Sequence, residues 1–211
     1  MAGCCGNDGP VFDGVSAAYR RVLWAVIAIN GVMFGVETVA GHHASSQALQ
    51  ADALDFLADS VTYGLSLWVI GHSGRTRAPA ALAKGISLAL MGLWVLGSTA
   101  YQVFVLGVPE ASLMGAVGLL ACAANLLSVL LLVRYKDGDA NVRSVWLCSR
   151  NDAIGNLGVV AAAGLVWFTG SGIPDLVVAA AMAGLFSWSA REIIRQALAE
   201  LREARVEAAP I

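Results

Sequence analysis

The stretch 146-WLCSRNDAIGNLGVVAAAGLVWF-168 decides what kind of fold this chain can adopt. Its second half is an apolar run suited to lipid. Its first half carries Cys148, Arg150, Asn151, Asp152 and Asn156 within nine positions. A helix entering hydrocarbon tolerates such groups only where one face meets protein, water or an ion. The whole chain has the same character: 211 residues, 58% hydrophobic and 13% charged, with a mean hydropathy of +0.71. A soluble domain carries about twice that charged fraction. Several mostly apolar windows match the ~20 residues that cross ~30 Å of hydrocarbon. The expectation is an all-α integral membrane protein.

Working outward, six membrane helices are read at about 20–41, 47–71, 79–106, 111–133, 142–168 and 173–198. Turn-like clusters, GVPEAS and TGSGIPD, separate the third from the fourth and the fifth from the sixth. The cations set the orientation. Arg20 and Arg21 precede the first span, and Arg75, Arg77 and Lys84 lie between the second and third. Arg134, Lys136 and Arg143 join the fourth and fifth, with Arg150 slightly inside; Arg191, Arg195, Arg202 and Arg205 come last. The other three connections hold none, so the positive-inside bias places both termini in the cytoplasm. The expected organisation is a short cytoplasmic tail over 1–19, a six-helix membrane domain over 20–198 and a short helical cytoplasmic tail over 199–211. The N-terminus lacks the pattern of a cleaved signal peptide. A net charge of −2 gives no reason to expect a nucleic-acid partner.

Ionisable residues inside the spans are the candidates for function. In 47-QALQADALDFLADSVTYGLSLWVI-70, Asp52, Asp55 and Asp59 fall at i, i+3 and i+7, on one helical face. Asp55 and Asp59 stack one turn apart and could offer oxygens to one cation. Cys148 and Asp152 repeat the i, i+4 geometry in the fifth span, and Asn156 continues that stripe. Two helices each presenting two anionic ligands inward is a way to build a four-coordinate divalent-metal site. Counting ~1.5 Å per residue from the cytoplasmic ends puts Asp59 at ~17 Å and Asp152 at ~15 Å, so these two meet. Asp55 and Cys148 fall further apart, at ~23 and ~9 Å.

Each of these residues has a plainer reading. The aspartates could pair with cations, but only Arg150 and Lys84 lie near, too few to neutralise them all. Asp52 reads equally well as a solvated carboxylate near the outer face or as an auxiliary on the outer path. Cys148 alone would be an ordinary buried thiol, and its spacing to Asp152 favours a ligand. Asn156 is an auxiliary oxygen ligand or an interhelical hydrogen-bonding group, and Asn30 and Glu37 could line the same cavity. Cys4 and Cys5 form a thiol pair that either captures a thiophilic ion or is only a tail. Cys122 reads as core, and Arg150, ~200° around the helix from Cys148, points away from the site.

The segment 30-NGVMFGVETVAGHHASSQALQADALDFLADS-60 resembles the first two helices of the cation diffusion facilitator family of metal transporters. The segment 141-NVRSVWLCSRNDAIGNLGVVAAAGLVWFTGSGIPD-175 resembles that family's fifth helix and the loop into its sixth. The resemblance implies export of Zn²⁺ or a related divalent ion against protons, by a homodimer. It implies Asp55 and Asp59 as the second-helix ligands, Asp152 as the fifth-helix aspartate and Cys148 where histidine is usual. The family's cytoplasmic C-terminal domain is not expected here. The loop 71-GHSGRTRAPAALAKG-85 lacks the family's histidine-rich run, so no second site is expected near His72.

The chemistry of this donor set suggests how transport works. Three carboxylates and a thiolate are costly as bare charges in low dielectric, so the empty site is expected to hold protons that a divalent cation displaces. A thiolate with oxygens suits Zn²⁺ first and Cd²⁺ next, whereas Mn²⁺ favours oxygen throughout. No catalytic cofactor is expected; the partners are metal ion, protons, membrane lipid and a second copy of the chain. Small residues Gly85, Ala89 and Gly92 offer a face for that copy. An enzyme using Cys148 as nucleophile would want a base, and no span has a central histidine. The alternatives kept are a membrane metal sensor or accessory protein and a transporter of Fe²⁺ or Mn²⁺. Composition suggests a bacterial inner membrane.

Overall fold

The structure, a computed structural model, describes residues 16–69, 77–105, 107–137 and 140–207. Cys4, Cys5 and the His72 region lie outside the described residues. Among the described residues six long helices form: α1 (Ala17–His43), α2 (Gln47–Val69), α3 (Arg77–Val105), α4 (Ala111–Leu132), α5 (Ala140–Thr169) and α6 (Ile173–Glu207). A short 3₁₀ turn, Val133–Tyr135, follows α4. Each expected span is a helix. The last of them, α6, continues unbroken past residue 198 to Glu207, since the helical spacing of apolar and polar residues does not stop there.

Five of the six helices are long and apolar enough to cross a membrane on composition alone. The sixth, α2, is too rich in charge, because every 18-residue window in it contains Asp52, Asp55 and Asp59. It is shielded instead of being lipid-facing, since α2 packs on α1, α3, α5 and α6. The other strong pairings are α3 with α6 and α4 with α5. The outside of the bundle is apolar: Phe104 and Phe168 are each 86% exposed and Trp94 is 69% exposed. In water such a surface would aggregate, whereas in a bilayer it is the solvated face. The chain is an integral membrane protein.

Four apolar clusters are buried among the described residues, and two of them stack along the bundle. The outer one joins Ala40, Ala44 and Leu49 to Met114, Val159 and Ala163. The cytoplasmic one joins Tyr19, Leu23 and Tyr63 to Leu132, Val142 and Val145. Close contact between α1 and α2 depends on Gly41, where a Cβ would lie 3.0 Å from Gln50 Cγ and 3.1 Å from its backbone nitrogen. The hairpin between these helices turns through Ser45 at φ 53, a left-handed conformation that only some residues accept.

The small face of α3 differs from expectation. A Cβ on Gly85 would come within 2.7 Å of Ile194 Cγ1, and one on Gly92 within 3.1 Å of Ser187 Oγ. Ala89 packs into the same α3–α6 core. This face is therefore consumed inside the chain and is not available to hold a second copy. Small residues permit close approach without specifying whose helix approaches.

Candidate metal centre

Between the two apolar cores the bundle has a polar waist. A small cavity there is lined by Asn30 from α1, Asp52, Asp55, Phe56 and Asp59 from α2, Asn125 from α4 and Asp152 from α5. The one-face spacing on α2 brings three aspartates to this cavity, and Asp152 of α5 meets two of them, Asp55 and Asp59. Asp152 faces Asp59 within hydrogen-bond reach and also lies in the electrostatic field of Asp55 and Cys148. Asp152 Oδ2 receives no hydrogen bond. Among the described residues no three His, Cys, Asp or Glu side chains already form a metal-binding cluster. The four carboxyl groups share this one cavity.

Cys148 sits one turn toward the cytoplasm from Asp152. It is partly buried against the cytoplasmic core and does not line the cavity, although it lies close enough to act electrostatically on Asp152 and Tyr63. Asn156, one turn the other way, is fully buried, and both its polar side-chain atoms lack hydrogen bonds. It too lies outside the cavity lining. Arg150 turns away as its helical position demands: it is exposed, donates to Asn151 Oδ1 at 3.2 Å and lies 5.3 Å over the Trp146 ring.

Asp52 is 98% buried, not solvated, and meets a carboxyl group from α1. Glu37 is completely buried and within hydrogen-bond reach of Asp52. Both Glu37 oxygens and Asp52 Oδ2 lack a neighbouring N–H or O–H donor. Two facing carboxyl groups can bond directly only if one of them carries a proton. Asn30 donates from Nδ2 to the Val26 carbonyl at 2.8 Å, which leaves its Oδ1 without a donor; Asn125 Oδ1 is likewise unpartnered. Neutral amide oxygens of this kind can ligate a hard cation.

Three features go beyond the residues singled out from the sequence. Tyr63, one turn past Asp59 on α2, is completely buried and its hydroxyl donates to Asp59 Oδ2. The same hydroxyl lies 3.3 Å from Ser149 Oγ and 3.5 Å from the Val145 carbonyl, both on α5. Asp175 at the start of α6 is also completely buried. It accepts from Ser46 Oγ at 2.6 Å, from the Gln47 backbone at 2.8 Å and from the Ala48 backbone at 3.1 Å. A carboxylate from another helix thus caps the N-terminus of α2, where the orphan N–H groups and the helix dipole favour negative charge. Asn125 stood in plain view as a lone amide in an apolar run, the kind of residue that marks an interior polar site.

Residues 23–202 match the model of a protein family described as the cation efflux transmembrane domain. The chain is 26% identical over 197 residues to the zinc transporter ZitB of Escherichia coli, an alignment covering 87% of this chain and 63% of that protein. It is 26% identical over 172 residues to the metal cation efflux system protein CzcD of Cupriavidus metallidurans, covering 76% of this chain and 54% of that one. The chain therefore spans less than two thirds of the length of either relative. With a family match across most of its length and all six helices in place, the chain belongs to the cation efflux transmembrane domain family, the cation diffusion facilitators its α2 and α5 motifs resemble.

Proposed function

We propose that the protein exports divalent metal ions from the cytoplasm by proton antiport, with Zn²⁺ the preferred ion and Cd²⁺ next. The observation that carries this reading is the convergence of Asp55 and Asp59 from α2 with Asp152 from α5 on one buried cavity at mid-bundle. Asp55, Asp59 and Asp152 supply oxygens to the ion. Cys148 supplies a thiolate from one turn to the cytoplasmic side on α5, and Asp52 and Asn156 serve as auxiliaries on the outer side. Ligands of this kind must be deprotonated to hold a metal, so binding releases protons and protonation from the other face releases the metal. The relatives named as a zinc transporter and a metal cation efflux protein support the substrate class, and both come from bacteria, in keeping with a bacterial inner membrane.

A membrane sensor would use the same ligands without moving the ion. Uptake of Zn²⁺, Cd²⁺, Mn²⁺ and Fe²⁺ into sealed proteoliposomes under an imposed pH gradient separates the two. The account expects uptake of Zn²⁺ and Cd²⁺ that collapses when the gradient is dissipated. Metal binding without any uptake contradicts it, and uptake favouring Fe²⁺ or Mn²⁺ contradicts the choice of ion. A homodimer is part of the same proposal, and with the α3 glycine face already consumed, its interface must lie elsewhere.

A further inference from the structure

Tyr63 is a completely buried phenol in the middle of a membrane domain, and its hydroxyl is spent on a residue of the proposed site. One oxygen of Asp59 accepts its proton. The phenol cannot drift, because Ser149 Oγ and the Val145 carbonyl bracket its oxygen from α5 and the ring is embedded in the cytoplasmic core. A phenol in that position does two things to a carboxylate. It fixes the rotation of the group about its Cβ–Cγ bond, and it draws charge from the oxygen it bonds. A carboxylate can grip a metal with one oxygen or with both. Ions that gather six or more ligands use the two-oxygen mode freely, whereas four-coordinate Zn²⁺ is content with one.

We infer that Tyr63 is a specificity-determining residue: by engaging one oxygen of Asp59 it restricts that aspartate to single-oxygen ligation, and so biases the site toward four-coordinate Zn²⁺ over six-coordinate Mn²⁺. The inference rests on the reading of Asp59 as a ligand. Ser149 is a positioning residue in this arrangement, since it touches Tyr63 and not the cavity.

The test is the ratio of Zn²⁺ to Mn²⁺ uptake by proteoliposomes carrying the full chain, its Tyr63→Phe variant and its Asp59→Asn variant. Tyr63→Phe deletes one oxygen and keeps the ring in the core. The ratio is expected to fall about tenfold or more, the scale of a hydrogen bond to a charged group. A merely structural defect lowers both fluxes together and leaves the ratio unchanged, which overturns the inference while loss of flux in Asp59→Asn keeps the site. Zn²⁺ flux that survives Asp59→Asn overturns both. A second measurement needs no folded Tyr63 variant: infrared difference spectra of the parent chain with and without Zn²⁺, the Asp59 bands identified from Asp59→Asn. Wide splitting of the two carboxylate stretches, the mark of one-oxygen ligation, is expected. Narrow splitting, the mark of two-oxygen ligation, overturns the inference.

Discussion

Replacing Asp175 by alanine should destabilise the bundle more than any surface change, although residue 175 does not line the polar cavity. The carboxylate accepts three hydrogen bonds at the start of α2, from Ser46 Oγ and from the Gln47 and Ala48 backbone. Asp175→Ala leaves two buried backbone donors unmet, each costing ~1–3 kcal/mol. Part of that is recovered because an anion no longer has to be buried. Ser46 Oγ also still accepts from the Leu49 backbone at 3.1 Å, so the helix keeps one cap. The net cost should be about 3 kcal/mol, above the ~0.5–2 kcal/mol of an ordinary lost cap because two buried donors lose their partner together. In a domain of this size that corresponds to a fall in Tm of roughly 6–12 °C. Circular dichroism of the purified full chain in one fixed detergent, heated beside the parent, reads this directly. A variant melting within about 2 °C of the parent would refute the view that Asp175 anchors α2.

Other substitutions probe separate parts of the account. Cys148→Asp should reduce Cd²⁺ uptake more than Mn²⁺ uptake, because a soft donor is exchanged for a hard one; equal effects on both ions would remove Cys148 from the ligand set. Gly85→Ala should cost ~1–3 kcal/mol in thermal unfolding, since its Cβ would press on Ile194, and an unchanged melting curve would contradict the α3–α6 packing. Glu37→Gln places an amide donor opposite the unpartnered Asp52 oxygen. It should be neutral or stabilising by ~1 kcal/mol in the same melting experiment, and a clear loss would show that the two carboxyl groups are not a facing pair.

The membrane fold was legible because lipid imposes its own grammar: long apolar helices, interrupted only where a face is turned inward. That rule also explains α2, whose three aspartates disqualify it as an apolar span and mark it as the shielded helix. Asp55 and Asp59 were legible through their i, i+4 spacing, and Asp152 through the same spacing from Cys148 and a depth count that brings it level with Asp59. The same count separated Cys148 from Asp55, and Cys148 indeed lies outside the cavity lining. Tyr63 was one turn from Asp59 in plain sight, yet a tyrosine in an apolar stretch reads as packing until its hydroxyl has a partner. Asp175 was harder. It sits in a turn-like cluster, and the N–H groups it meets are 127 and 128 positions away in the chain, so no local pattern announces it. The α3 glycines failed for a different reason, because close approach to α6 and close approach to a second copy leave the same sequence trace.

The most direct test of the central claim, that metal crosses the membrane through the α2–α5 carboxylates, is Zn²⁺ uptake by proteoliposomes carrying the parent chain or the Asp59→Asn/Asp152→Asn double variant. Each substitution keeps the shape of the side chain and removes its charge. With both proteins reconstituted to equal density and melting alike, the account predicts gradient-driven uptake in the parent and uptake at the protein-free level in the variant. Uptake by the variant at the parent's rate would contradict it.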